Sequence, residues 1–272
     1  MPQVIQAETE FGGEILKVNS YTLKEDLLLS ELNKDLGTLT RYEGDSTREL
    51  TINGDNHTID ASKGSYTERE TNYSGIVVTS GDKLTINNTN FKNFESQNGA
   101  AITNSGTIDN ITGNFTNNIA KYVGGAIANE GVIEKVSGNF IDNSANRGGA
   151  IANTSLNIEN PIINVIADDN NIEFSGNYVK GENALGGAIY NTGTFGLYAA
   201  EGKSIDFAGE SAALDAQDVD GIFNIGTLNI NGNGTDIYTG SVNLNTLAGN
   251  GTTNIYGGTV STKGIITQDV LN

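Results

Sequence analysis

One short hydrophobic phrase recurs along this chain. It consists of two small residues and an isoleucine, and an asparagine follows two positions after the isoleucine. The isoleucines and asparagines of the four clearest copies are Ile102, Ile127, Ile151, Ile189, Asn104, Asn129, Asn153 and Asn191. The first copies stand about 25 residues apart, and the later ones are spaced more widely. A period of this length is typical of stacked units, each of which buries its apolar face against its neighbours.

A second phrase, Phe-x-x-Asn, keeps the same interval. Its clearest copies begin at Phe115, Phe140 and Phe174. Between the two phrases lie short segments in which apolar and polar residues alternate, and a period of two predicts β-strands. Glycine, asparagine and threonine are frequent in these segments and β-branched residues are dense, so helices are not expected in the repeats.

Together these patterns predict an all-β fold, namely a single-stranded right-handed parallel β-helix (β-solenoid) of about eight or nine coils. Three short strands per coil, separated by turns, give a triangular cross-section. Strands of successive coils pair in parallel, about 4.8 Å apart. The isoleucines and phenylalanines then form interior columns, and the asparagine amides form a ladder between identical residues one rung apart.

The asparagines of the first phrase and the glycines that follow them are predicted at tight corners. Asparagine tolerates the left-handed backbone conformation, and Gly106 and Gly131 serve the same corner. We therefore interpret these asparagines as structural residues and not as ligands.

The chain outside the repeats predicts a cap. Residues 1–45 do not repeat, and Leu28, Leu32 and Leu36 fall at helical spacing. A stack of coils needs its open end covered, because bare strand edges aggregate. We expect an N-terminal cap over residues 1–45 and one continuous β-helix domain over residues 46–272, truncated at its C-terminal end. The start of the sequence lacks a charged and apolar leader, so we expect a processed or truncated piece of a longer protein.

The acidic composition narrows the expected partners. The formal net charge is −18, and the field of such a chain repels phosphate backbones, so nucleic acid is not an expected partner. The chain contains no cysteine, which suits a protein that crosses a membrane pore unfolded. The sequence shows no phosphate loop, zinc-ligand spacing or nucleophile motif, and no cofactor or metal is predicted.

Insertions interrupt the repeat, and in repeat proteins they often form the binding face. The first of them, residues 155–171, combines an apolar run with an acidic end. Its candidate binding residues are Ile162, Ile163, Val165, Ile166, Asp168 and Asp169. An apolar run with a polar border on a rigid scaffold suits a partner site. The alternative is an extra strand packed on the β-helix. If this segment is a loop, deletion of residues 157–168 should leave the fold intact.

A carbohydrate-active enzyme is the catalytic alternative. Inverting hydrolysis needs two carboxylate groups that flank a sugar, and Asp168 and Asp169 form the only adjacent aspartate pair. The one histidine, His57, lies far from them in sequence, whereas polygalacturonases need a histidine in the site. We therefore predict a non-catalytic protein. Residues 215–221 loosely match a calcium loop without its ligand pattern, and we expect a solvated acidic turn there.

The alternation of Gly-Gly-Ala-Ile with Phe-x-x-Asn resembles the passenger domains of polymorphic outer membrane proteins. These are autotransporter adhesins typified by chlamydiae. The matching copies begin, in alternation, at Phe115, Gly124, Phe140, Gly148, Phe174 and Gly186. The resemblance covers about residues 50–260. The copies at Gly99 and Gly221 are degenerate, and many members of that family carry cysteines, which this chain lacks.

The resemblance implies a bacterial cell-surface or secreted adhesin with a role in virulence. Its rigid β-helix rod would attach to host cells or matrix, and its partner would be an unidentified host-cell surface protein or glycan. The full-length protein would carry an outer-membrane translocator barrel. Two alternatives stay open: a polysaccharide lyase or hydrolase that uses Asp168 and Asp169, and a structural spacer that projects another domain from the cell.

Overall fold

The part of the chain that the structure describes consists of strands, turns and bends. The computed structural model describes residues 3–5, 20–29, 37–39, 49–62, 74–154, 160–208 and 218–272. These residues form 33 strands in four sheets, numbered I to IV in the order in which a central coil visits them. The described ranges contain no helix, and hence no helix that could span a membrane.

Two of the four sheets contain ten strands, one contains eight and one contains five. Sheet I consists of Gly37–Leu39, Ile76–Val78, Ile102–Asn104, Ile127–Asn129, Ile151–Asn153, Ile189–Asn191, Ile222–Asn224 and Leu247–Ala248. Sheet II consists of Ser20–Thr22, Glu49–Asn53, Lys83–Asn87, Thr107–Thr112, Val132–Ser137, Ile162–Ala167, Thr194–Ala199, Thr227–Ile230, Thr252–Ile255 and Val270–Leu271. Sheet III consists of Gln3–Ile5, Leu27–Leu29, Thr58–Asp60, Asn90–Lys92, Phe115–Thr116, Phe140–Ile141, Ile172–Ser175, Ser204–Phe207, Ser241–Leu244 and Thr259–Thr262. Sheet IV consists of Glu95–Asn98, Ile119–Val123, Ser144–Ala145, Tyr178–Val179 and Asp218–Val219.

A central coil passes through the four sheets in turn. One such coil runs from Ile102–Asn104 in sheet I to Ile119–Val123 in sheet IV, and Ile127–Asn129 begins the next coil. Strands of successive coils pair in parallel, as in the match of Ile102 with Ile127. The molecule is therefore the parallel β-helix that the repeat predicts.

The prediction of three strands per coil is wrong for the central coils, because sheet IV adds a fourth. The residues that sheet IV aligns, such as Ile119 and Ser144, share no chemical type, so they leave no column in the sequence. Towards the C-terminal end the chain passes from Ser241–Leu244 directly to sheet I, and that coil has three strands. Sheet IV ends in an antiparallel pair, in which Tyr178 lies opposite Val219.

The isoleucine column lies in sheet I. Ile102 pairs with Ile127, which in turn pairs with Ile151, and Ile189 follows on the next rung. All four side chains are fully buried. They belong to one hydrophobic core that runs along the rod.

A column of aromatic rings runs through sheet III beside the isoleucines. Neighbouring rings are stacked with nearly parallel planes, and their centroids lie between 4.5 and 5.4 Å apart. This distance follows from the spacing of about 4.8 Å between paired strands. The rings belong to Phe91, Phe115, Phe140, Phe174 and Phe207.

The asparagines of the first phrase form a buried ladder. Nδ2 of Asn104 donates to Oδ1 of Asn129 (2.7 Å), and Nδ2 of Asn129 donates to Oδ1 of Asn153 (2.8 Å). The row continues through Asn191 to Asn224. Because these amides are inaccessible to solvent, each must find its partners inside the protein.

The asparagines and glycines of the first phrase lie at the corner between sheets I and II, where Oδ1 of Asn104 accepts the backbone N–H of Gly106 (3.1 Å), but the left-handed conformation predicted there is wrong. Left-handed backbone occurs instead within the second phrase, at Asn117 (φ 53°) and Asp142 (φ 55°), and at the first glycine of the first phrase, as in Gly124 (φ 61°). Gly131 is needed for a different reason: a Cβ there would lie 2.2 Å from the carbonyl oxygen of Gly106. Close stacking of successive coils, and not a turn, requires this glycine.

The N-terminal segment contributes strands to the same sheets. Leu27–Leu29 is a strand of sheet III, with Leu27 opposite Ile59, so the helix predicted at Leu28 is not formed there. Leu32 and Leu36 lie outside the described residues, as does most of the predicted cap. The division into a cap over residues 1–45 and a domain over residues 46–272 stays a prediction.

Candidate functional site

The apolar run predicted as a binding loop is a strand of the scaffold. Ile162–Ala167 pairs with strands on both sides in sheet II. Ile163 and Val165 point into the core and are fully buried, while Ile162 and Ile166 are half-buried on the other face. The loop hypothesis is therefore wrong for these four residues, and the strand is an ordinary rung, not an extra layer. A deletion of residues 157–168 would remove it.

Asp168 and Asp169 lie in the turn after this strand and have different surroundings. The Asp168 carboxylate accepts a hydrogen bond of 2.5 Å from Nζ of Lys135. Partial burial raises the pKa of Asp168, but the hydrogen bond and charge of Lys135 outweigh it, so the pKa lies below its ordinary value. The Asp169 side chain is exposed, and its backbone carbonyl accepts a hydrogen bond from Lys203 (2.7 Å).

Asp220, in the segment expected to be a solvated acidic turn, is fully buried. Its two carboxylate oxygens accept hydrogen bonds from the backbone N–H of Gly176 (2.8 Å) and from the backbone N–H and Nδ2 of Asn177 (2.9 and 2.8 Å). Asn177 is the last amide of a second buried ladder, which starts at Asn118 and passes through Asn143. The carboxylate therefore terminates a ladder, and the expectation of a solvated turn is wrong at this residue.

Among the described residues, a concave surface lies at the corner between sheets II and III. It is a groove of about 380 Å³ that crosses five successive coils. We call it the amide groove, and its lining consists of Asn56, Asn88, Asn90, Thr112, Gly113, Asn114, Ser137, Gly138, Asn139, Asp169, Asn170 and Asn171. A neighbouring depression of about 280 Å³ shares Asn139 and Asn171 with it. At about 4.8 Å per rung, the amide groove is about 20 Å long.

Two glycines form the floor of the amide groove. A Cβ on Gly113 would lie 1.9 Å from the carbonyl oxygen of Thr89, and a Cβ on Gly138 would lie 1.8 Å from the carbonyl oxygen of Gly113. The stacking of the coils thus excludes side chains at these positions. The backbone is left uncovered between two flanking rows of polar side chains.

One wall of the groove is a row of asparagines joined from rung to rung. Oδ1 of Asn90 accepts hydrogen bonds from both the backbone N–H and Nδ2 of Asn114 (3.0 Å each). Oδ1 of Asn114 accepts the backbone N–H of Asn139 (2.9 Å), and Oδ1 of Asn139 accepts that of Glu173 (2.9 Å). Each amide oxygen is therefore held in place by the next coil.

Several hydrogen-bonding groups in the groove are not used by the protein. Within the described part of the chain, Nδ2 of Asn139, Nδ2 of Asn171 and the hydroxyl of Ser137 have no protein partner. Their side chains are half-buried or exposed. The groove can therefore offer these donors to a ligand without breaking an internal bond.

The amide groove was not predicted, although the sequence carries a signal for it. Gly113 and Gly138 each belong to a short phrase in which threonine or serine precedes Gly-Asn-Phe. The two copies are 25 residues apart, like the matching phenylalanines. A hydroxyl residue, a glycine and an asparagine that recur at the period of the coil predict a polar groove along a solenoid.

A second unusual surface lies on the outer face of sheet II but is covered. The ring of Tyr198 stacks on Tyr238, with centroids 5.1 Å apart, and a Cβ on Gly196 would lie 2.4 Å from Cζ of Tyr198. Burial, with a smaller contribution from Tyr238, raises the pKa of Tyr198 to about 12. The residues between Ile230 and Ser241 form an insertion between two strands that was not predicted.

Comparisons and metal chemistry assign no activity to these surfaces. No group of three or more His, Cys, Asp or Glu side chains that could hold a metal ion occurs among the described residues. No family model, curated protein or solved structure matches the chain. The resemblance to adhesin passenger domains therefore rests on the sequence motifs alone.

Proposed function

We propose that this protein is a non-catalytic attachment module, the β-helical passenger of a bacterial surface or secreted adhesin of the autotransporter type. The observation that carries the proposal is the division of labour among the repeat residues. The Ile, Phe and Asn side chains of the stacked columns are buried inside the rod, and a groove along the rod is lined by polar groups, some of which have no protein partner among the described residues. A rod with a lengthwise polar groove suits binding to an extended surface.

The bacterial surface location and the translocator barrel in the full-length protein belong to the same proposal. They follow from the resemblance of the Gly-Gly-Ala-Ile and Phe-x-x-Asn phrases to those of adhesin passenger domains. The partner on this proposal is a host-cell surface protein or a glycan.

A bead assay tests the proposal. Beads coated with the 272-residue chain should attach to cultured host cells or to immobilised matrix, and beads coated with the heat-unfolded chain should not. Attachment at the background level by the folded chain would contradict the adhesin function and favour the spacer.

The catalytic alternative has its own test, since Asp169 lines the groove. The chain is incubated with acidic and neutral polysaccharides, and the release of reducing or unsaturated ends is measured. We expect no turnover. Turnover that Asp169→Asn abolishes would replace the adhesin with an enzyme. Asp168→Asn is the matched comparison, because that carboxylate already pairs with Lys135.

A further inference from the structure

Two successive coils at the centre of the amide groove carry the same chemistry, and this repetition constrains what can occupy the groove. Each central rung contributes a hydroxyl, a bare backbone segment and an amide, as in Thr112, Gly113 and Asn114, and again in Ser137, Gly138 and Asn139. Successive rungs are about 4.8 Å apart. A ligand that meets every rung equally must itself repeat at nearly this distance.

The spacing of the rungs can be compared with the repeat distances of linear polymers. An extended peptide advances about 3.3 Å per residue, and side chains on one face recur after two residues, so it falls out of step with the rungs. A β-linked pyranose chain advances by close to one rung per sugar. Each sugar then presents one polar edge to one rung. Successive sugars of a β-1,4-linked chain turn alternate edges to the groove, so each rung meets hydroxyl groups, while an acetamido group recurs at every second rung.

The charges and the polar groups of the groove narrow the class further. The lining contains the carboxylate of Asp169 and no lysine or arginine among the described residues, and Glu173 and Asp206 line the adjoining depression. This is an unfavourable surface for a polyanion. Neutral hydroxyl and acetamido groups are good partners for the unused Nδ2 groups of Asn139 and Asn171 and for the hydroxyl of Ser137.

Resting on the attachment function proposed above, we propose that the amide groove binds a neutral, linear, β-linked glycan along the axis of the rod. Because the groove spans five coils, it holds about five sugar residues at one sugar per rung. Asn139 and Asn171 donate to the glycan, and the bare backbone at Gly113 and Gly138 lets the sugar rings approach closely.

Calorimetric titration of the full 272-residue chain tests this site. The probes are the β-1,4-linked hexasaccharides of glucose and of N-acetylglucosamine, with an α-1,4-linked glucose hexasaccharide and a heparin fragment as comparisons. We expect at least one β-linked probe to bind, and the Asn139→Ala/Asn171→Ala variant to bind it at least about fivefold more weakly, because each lost hydrogen bond is worth a few-fold in affinity.

Two further variants make the result specific. Asn110→Ala removes an amide from a surface row outside the groove, where Nδ2 already donates to Asn87 (2.9 Å), and should bind like the unchanged chain. Ser137→Tyr fills the groove without removing a protein hydrogen bond and should abolish binding. Melting temperatures show which variants remain folded.

Three outcomes would overturn the glycan site: no binding of either β-linked probe, equal binding by the double variant, or tighter binding of heparin. The bead assay distinguishes failure of the proposed glycan site from failure of the adhesin function. Cell attachment that neither the hexasaccharides nor the groove variants reduce would overturn the glycan site alone. Glycan binding without cell attachment would support the site and contradict the adhesin function.

Discussion

Two rows of asparagine run along this rod at the same period, and they differ in how far their amides are used. In the buried row, Nδ2 of Asn129 donates to Asn153 and to the carbonyl oxygens of Gly131 and Ile162, at 2.8 to 3.1 Å. In the groove row, Oδ1 of Asn139 is held by the next coil, while Nδ2 has no protein partner in the described residues. The repeat period alone therefore does not distinguish structural asparagines from surface asparagines. Their burial and the number of hydrogen bonds that their amides make to the protein do.

The amides at the ends of the buried rows also find hydrogen-bond partners inside the protein. Asn224 donates to Oε1 of Gln268 (2.8 Å), which closes the first ladder. The second ladder ends at the carboxylate of Asp220. An open end would leave a buried donor without an acceptor, and such a group is costly. The groove row needs no such closure because water reaches it.

The largest expected effect is on the buried row. In Asn129→Ala, the backbone N–H of Gly131 and Oδ1 of Asn153 lose their amide partners inside the stack. Each buried group left unpaired costs about 1–3 kcal/mol, so we expect a loss of roughly 2–6 kcal/mol in the free energy of unfolding. Urea denaturation followed by circular dichroism measures it.

The matched control for this change is Asn114→Ala in the groove row. The side chain of Asn114 is exposed, so water replaces its lost partners and the cost should stay below about 1 kcal/mol. Equal losses in the two variants would contradict the distinction between the rows.

A core substitution gives the next largest effect. Ile127 is fully buried between Ile102 and Ile151, so Ile127→Ala should cost about 2–5 kcal/mol through lost transfer free energy and the cavity left behind. Ile141→Ala in the same coil region is the control, since Ile141 is only half-buried. A loss at Ile127 as small as that at Ile141 would show that the column does not carry the stability of the stack.

At the end of the second ladder, replacing the carboxylate of Asp220 with an amide of nearly the same shape should destabilise the fold. Asp220→Asn is nearly isosteric, but three N–H donors bind the two carboxylate oxygens, and an amide offers only one oxygen. One donor then faces the new NH₂ group, and we expect a loss of about 1–3 kcal/mol in the free energy of unfolding. Unchanged thermal unfolding of this variant would show that the carboxylate is not needed to close the ladder.

The sequence predicted the columns because identical residues stack on themselves. Ile127 and Phe140 repeat at the period of the coil and occupy the same position in every rung, so their place in the core followed from the spacing. Sheet IV had no such signal, since Ile119 and Ser144 align without sharing chemistry. The run at Ile163 was misjudged because the spacing changes before it, although its β-branched residues already favoured a strand.

The candidate site was harder to predict because its defining feature is a missing side chain. Gly138 was not recognised as part of the groove floor, because a glycine in a turn has several possible roles. Only the packing of successive coils reveals which atoms lie against it. Asp220 was assigned to solvent from the acidic composition around it. Its burial depends on Asn177, a contact between residues 43 positions apart in sequence.

The smallest expected effect concerns the ion pair at the rim of the groove. Asp168 has a pKa below its ordinary value of 3.8 through Lys135, so the pair stabilises the fold at pH values above 3.8. The contribution is lost as the pH falls through 3.8 and then through the lower pKa of the folded state. The side chains are 26% and 39% exposed, and solvent screens the pair, so Asp168→Asn should cost less than about 1 kcal/mol at pH 7. Urea midpoints of Asp168→Asn and of the unchanged chain should approach each other as the pH falls further below 3.8 and, at pH 7, in high salt.

Asp169→Asn is the matched control, because the Asp169 carboxylate has no protein partner among the described residues, and it should leave the midpoint unchanged at pH 7. A difference between Asp168→Asn and the unchanged chain that shrinks neither on acidification nor in high salt would assign the effect to packing and not to the charge.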